Sequence, residues 1–124
     1  MTKTPRERRR YPRFTLDWAI EVAVAGGDTL AGRTVDISLV GAYVLLAESI
    51  GDLTEVVATI ELPVQTSEGL ETFTIALPGI TVREEDAGDR FAVAIMFKNV
   101  PVESEWVLAK FLLKQIDAVG GLKS

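Results

Sequence analysis

The sequence predicts a mainly β, single-domain protein of six or seven short strands closed by one C-terminal helix. Three observations predict it. Apolar residues alternate with polar ones at period two through most of residues 16 to 97. Turn signals interrupt that alternation every eight to twelve residues or so, as in a closed barrel or a sandwich. After residue 100 the apolar spacing changes to that of a helix.

The elements follow in order. Leu16, Trp18, Ile20, Val22 and Val24 occupy one face of a first strand, with Asp17 and Glu21 between them. Gly26-Gly27-Asp28 turns the chain into a second strand over residues 30 to 37, with Val35 and Ile37 on one face and Thr34 and Asp36 on the other. A break at Ser38 to Gly41 precedes Ala42-Tyr43-Val44-Leu45-Leu46, which is apolar on both faces and reads as a central strand. Val56, Ala58, Ile60 and Leu62 alternate with Val57, Thr59 and Glu61, and Pro63, having no N–H to donate, is expected to end that ladder. Phe73, Ile75 and Leu77 form the next strand, which Pro78-Gly79 bends into Ile80 and Val82. Residues 84 to 90 read as the polar tip of a hairpin whose return strand carries Phe91, Val93, Ile95 and Phe97.

For the helix, Trp106, Ala109, Leu113 and Ile116 are expected inside with Leu108 and Leu112, opposite Glu103, Lys110, Lys114 and Asp117. Val107 and Phe111 widen the stripe and leave a protein contact open on that side. Gly120-Gly121 ends the helix. Trp18, Phe91, Phe97 and Trp106 are expected in the core or between barrel and helix.

Composition removes several kinds of chemistry. At 124 residues and 48% hydrophobic content the chain can bury one core without staples. With neither Cys nor His, disulfides, a thiol nucleophile, an imidazole base and the usual zinc sites are all excluded. The acidic run Glu84 to Asp89 lacks the ligand spacing of a calcium loop. Paired carboxylates alone, without a nucleophile or a phosphate-cradling glycine loop, do not make an enzyme. No run of roughly 18 apolar residues occurs, and the basic start lacks the apolar stretch of a secretion signal, so a soluble, cytoplasmic protein with no membrane association is expected.

The net charge of -5 conceals an asymmetry. Residues 1 to 13 carry Lys3, Arg6, Arg8, Arg9, Arg10 and Arg13 against Glu7 alone, which leaves -10 on the remainder. Such an acidic body opposes a long nucleic acid, which needs a broad basic face. A short dianion gripped by a few arginines meets no such barrier, since the field is screened within about 8 to 10 Å. A solvated basic tail is the plainer alternative.

Arg9 and Arg13 bracket Arg10-Tyr11-Pro12 as R-x-x-x-R, and Asp36-Ile37-Ser38-Leu39-Val40-Gly41 follows as D-x-S-x-x-G. A guanidinium fork can grip two phosphate oxygens or the O6/N7 edge of guanine, and can stack on a base. Pro12 biases Tyr11 toward an extended backbone, so the two arginines do not share a helix face. Asp36 and Ser38 could instead form a strand-ending turn.

The two motifs together, in this order and at a strand end, resemble the signature of the PilZ family, and the resemblance runs from about Glu7 to the C-terminal helix. It implies a six- to seven-stranded antiparallel β-barrel over residues 14–100, a helix over 101–124 packed on or beside it, and a flexible basic arm over 1–13 that acts as a ligand-binding switch. It implies a receptor for cyclic di-GMP, neither an enzyme nor a cofactor protein, that passes a conformational change of the arm to a protein partner. The chain itself is expected to be a monomer or weak homodimer. The ligand set implied is Arg8, Arg9, Arg10, Arg13, Asp36, Ser38 and Gly41. Asp36 would accept from guanine N1–H and N2–H, Ser38 would add a hydroxyl, and Gly41 would permit close backbone approach or a positive φ. Arg8, directly before R-x-x-x-R, implies an intercalated pair of cyclic di-GMP molecules, two per chain. Ala94 departs from the family pattern, which often has glycine near there. The alternative is a PilZ-like interaction module that does not bind nucleotide.

Overall fold

The structure is a computed structural model that describes residues 13–118. Residues 1–12 of the expected arm, among them Arg8, Arg9 and Arg10, and the Gly120-Gly121 helix end lie outside the described residues, as do the side chains of Ile116 and Asp117.

Among the described residues there are seven strands and one helix: β1 (Phe14–Thr15), β2 (Ala19–Val24), β3 (Thr29–Ile37), β4 (Gly41–Leu46), β5 (Glu55–Thr66), β6 (Gly69–Asp86), β7 (Phe91–Phe97) and α1 (Val102–Ala118). All pairings are antiparallel. In the order β3-β2-β5-β6-β7-β4 they close on themselves through a β3–β4 pairing, giving a six-stranded barrel, and β1 adds to β3 as a seventh strand. The predicted fold class is therefore the observed one. Closure leaves the body of the barrel without free edges, and free edges remain along the extended β5–β6 hairpin beyond it. Val22, Ile37, Val44, Ala58, Leu62, Leu77 and Val93 fill the interior with no exposed surface.

The structure departs from the sequence reading at four places, each with a local cause. The expected first strand is broken between Thr15 and Ala19, because one extra residue separates the pairs Thr15↔Asp36 and Ala19↔Arg33. The buried Thr34 hydroxyl holds this kink by accepting from the Trp18 N–H at 2.9 Å and donating to the Leu16 carbonyl. Thr34 thus sits inside, not on the outer face with Asp36. The phase changes at Val35, an extra residue in the β3–β4 register. Pro63 does not end β5 but pairs with Thr72, beyond the Val56–Thr59 segment that pairs with β2, so β5 has only β6 beside it there and the missing N–H breaks no second ladder. Pro78-Gly79 lies within one 18-residue strand that leaves β5 for β7 as its partner.

The fourth departure is the phase of α1. Ser104, Val107, Leu108, Phe111 and Leu112 form the buried stripe, whereas Trp106 is 49% and Leu113 58% exposed. Val107 and Phe111, expected at the margin, are buried in the cluster that the helix, packed on β5 and β6, shares with the barrel. The Phe111 ring meets Trp18 edge-on at 5.6 Å, and Trp106 reaches Phe73 at 6.4 Å while keeping half its surface in solvent. Glu103 and Glu105 in the first turn complement the helix dipole. Among the described residues no helix is long and apolar enough to cross a membrane.

Candidate functional site

Two β-bulges build the site. Val35 is the extra residue of β3 against β4, and Val82 is the extra residue of β6 against β7. Each shifts the alternation by one position and aims the next residue, Asp36 or Arg83, at the outer wall. The ladder then sets Arg83 opposite Ala94, Ala94 opposite Tyr43, Tyr43 opposite Asp36, and Asp36 opposite Thr15. One lateral row thus crosses four barrel strands, with charged groups at either side and the small Ala94 between them.

This row lies in a cleft of about 450 Å³ whose lining includes Arg13, Asp36, Ser38, Gly41, Tyr43 and Arg83. Val40, Val82 and Met96 also line it, and each is 43% to 51% exposed, so apolar surface is left open to solvent around the charges. Of the sequence-predicted residues, the structure brings Arg13, Asp36, Ser38 and Gly41 together here. Arg13 approaches Asp36 at 3.7 Å, placing the second arginine of R-x-x-x-R on the carboxylate of D-x-S-x-x-G.

Ser38 and Gly41 also have structural work. The Ser38 hydroxyl is buried and accepts from the Val40 N–H at 3.2 Å, while the Ser38 N–H donates to the Gly41 carbonyl at 2.9 Å, closing the turn into β4. Asp36 makes no such local contact among the described residues, so the turn reading holds for Ser38 alone. Gly41 is not at positive φ. A Cβ there would stand 2.5 Å from the Ile95 carbonyl oxygen across the β4–β7 ladder, which is closer than real contacts allow. Gly41→Ala is accordingly expected to destabilise the barrel by about 1 to 3 kcal/mol, since backbone must move to accept the methyl group; urea denaturation measures this, and an unchanged midpoint would contradict it.

Tyr43, Arg83 and Glu85 were not among the residues anticipated. The Tyr43 hydroxyl donates to Glu85 at 2.9 Å, and Arg83 Nε lies 3.6 Å from the other Glu85 oxygen. Burial, then the hydrogen bond and negative charge of Glu85, push the Tyr43 phenol above its ordinary value, with Arg83 opposing. Tyr43 therefore stays a neutral donor at physiological pH. A signal for it did exist, since at period two it shares the strand face of Gly41.

Behind Arg83, β6 anchors the loop between β4 and β5. The Glu84 carboxylate accepts from the Ile50 and Gly51 N–H groups at 2.8 and 2.9 Å and from the Ser49 hydroxyl. Burial alone would raise its pKa, but the bonds from Gly51, Ser49 and Ile50 outweigh that and hold it below the ordinary carboxylate value. Glu84 to Asp86 are thus strand residues, and the hairpin tip is the shorter segment between Asp86 and Phe91, where Gly88 has a φ of 93°. The buried Thr81 hydroxyl, one bulge before Arg83, accepts from Thr54 N–H and donates to the Gly51 carbonyl. Both sides of the cleft therefore rest on fixed strands.

A closed six-stranded antiparallel barrel with a C-terminal helix packed on β5 and β6, and a mixed charged and apolar cleft on its wall, defines the class of domain. The PilZ domain family model matches residues 7–114, and the chain belongs to that family. No curated protein matches it in sequence. Among solved structures, it is similar to the Bacillus subtilis inhibitor of motility MotI/DgrA, with a TM-score of 0.71 at 16% identity over 89% of this chain and 52% of that one. It is also similar to the PilZ domain of Escherichia coli YcgR, described with c-di-GMP, with a TM-score of 0.63 at 17% identity over 91% and 98%. A third is the K. pneumonia MrkH–c-di-GMP complex, at 0.67, 18% identity, 91% and 54%. The chain spans about half the length of MotI/DgrA and of MrkH.

Proposed function

We propose that this protein is a receptor for cyclic di-GMP that transmits binding to a protein partner through its N-terminal segment and performs no chemistry on the ligand. The observation that carries this reading is the convergence of Arg13, Asp36, Ser38 and Gly41, from two motifs far apart in sequence, on one cleft of about 450 Å³. That volume is in the range of small-molecule sites. The chemistry suits a guanine dinucleotide. A carboxylate accepts from the N1–H and N2–H donors of guanine, an edge that adenine does not present. Val40, Val82 and Met96 give the flat base an apolar surface, and Tyr43 and Arg83 offer donors to its oxygens. The structural relatives described with c-di-GMP lend the same support.

In this reading Arg8, Arg9, Arg10 and Arg13 neutralise the phosphates, and the ligand draws the Arg13 guanidinium from Asp36 to itself, freeing the carboxylate for guanine. Ligand binding orders residues 1–13 against the barrel and makes a new surface for the partner. Four phosphate charges in an intercalated pair suit this density of arginine, so two nucleotides bind per chain. Calorimetric titration with cyclic di-GMP is expected to show micromolar or tighter binding at two per chain, with GTP and cyclic di-AMP inert and Arg8→Leu shifted toward one per chain. Absence of binding at micromolar concentrations would refute the receptor reading. A stoichiometry of one for both proteins would refute only the pair.

A further inference from the structure

We propose that the outward face of α1 is a self-association surface, on which a second copy of this chain packs its own α1 antiparallel about a two-fold axis. This surface is separate from the cleft. With Val107, Leu108, Phe111 and Leu112 turned inward, the helix still presents Val102, Trp106 and Leu113 to solvent, at 76%, 49% and 58% exposure. At 100° per residue these three fall within one narrow stripe opposite the buried one. Leu70, 71% exposed, extends the apolar surface through a groove it shares with Leu113, Lys110 and Lys114.

The charges along this stripe identify the occupant. Glu103 lies at its N-terminal end and Lys114 at its C-terminal end, on the same flank and both exposed, with Lys110 between them. A two-fold axis across an antiparallel helix pair keeps like flanks together and reverses their direction. Centred between Leu108 and Ala109, it sets Glu103 of each copy against the partner's Lys114, Val102 near the partner's Leu113, and Trp106 near the partner's Lys110. Lys110 already stands over the Trp106 ring of its own chain, 5.6 Å from the centroid. Parallel packing would instead turn this flank of each copy toward the partner's opposite flank, where Glu105 lies, and would leave Glu103 and Lys114 without each other. Glu103 and Lys114 are thus complementary to each other across the axis in the antiparallel sense.

The test uses the full chain and charge reversal at the two flank positions. Sedimentation equilibrium of the wild type is expected to show a reversible dimer. E103K and K114E are each expected to weaken it about tenfold or more, since every substitution replaces two symmetric attractive contacts with two repulsive ones. An equimolar mixture of E103K and K114E is expected to recover a heterodimer near wild-type strength, because both contacts are then attractive. The mixture separates a true interface from loss of helix stability, which mixing cannot repair. A monomeric wild type at all concentrations up to the millimolar range, or a mixture no stronger than its components, would overturn the proposal and assign the face to a different partner.

Discussion

Phe111→Ala is expected to lower the unfolding free energy by about 3 to 5 kcal/mol, whereas Leu113→Ala, two positions on, is expected to change it by less than about 0.5 kcal/mol. Phe111 is 3% exposed, packs edge-on against Trp18 and joins the cluster that the helix shares with the barrel. Removing its ring strips an aromatic pair and leaves a cavity beneath a helix that is held mainly by one stripe. Trp18 is itself anchored, its indole N–H donating to the Glu61 carbonyl at 2.7 Å, so it cannot easily collapse into the space. Leu113 points the other way and touches mainly solvent. Urea denaturation of both variants at a concentration where the chain is monomeric measures the contrast, and equal losses would contradict the observed phase of the helix.

That phase was not legible because α1 has two apolar stripes. Trp106 and Leu113 outweigh Val107 and Phe111 by no clear margin, and Ser104 on the buried side weakens the correct stripe further. The strands were easier. Where one face is buried, period two leaves a single solution, and β2, β5 and β7 carry their expected residues inward. The bulges at Val35 and Val82 left no mark, since one extra residue of a type that suits either face of a strand carries no turn or break signal. Half of the site was therefore visible and half was not. Asp36, Ser38, Gly41 and Arg13 are implied by the resemblance of their two motifs to the PilZ signature, but Arg83 joins them only because β6 slips by one residue beside Thr81. Tyr43 and Glu85 become readable once β4, β6 and β7 are known to be neighbours.

Asp36→Ala is expected to weaken cyclic di-GMP binding by more than tenfold while leaving the barrel intact. The carboxylate is partly exposed, with its side chain at 23% relative accessibility, and its ion pair with Arg13 spans 3.7 Å, so the pair contributes on the order of 0 to 1 kcal/mol to folding. In the complex the same carboxylate would accept charge-assisted hydrogen bonds from guanine, worth about 1.5 to 3 kcal/mol, and every 1.4 kcal/mol or so is a factor of ten in affinity. Arg13→Ala is expected to lose a similar amount by removing a phosphate contact. Asp36→Asn sharpens the argument. It keeps the size of the side chain but replaces one acceptor oxygen with an NH2 group that faces guanine donors, so its affinity should fall nearly as far as that of the alanine variant. If the Arg13 pair were the whole purpose of Asp36, the double variant R13A/D36A would bind as each single variant does. If both groups hold ligand, their losses add, and the double variant falls a further tenfold or more. Circular dichroism checks that each variant remains folded, and folded Asp36 variants that bind as tightly as the wild type would remove Asp36 from the site.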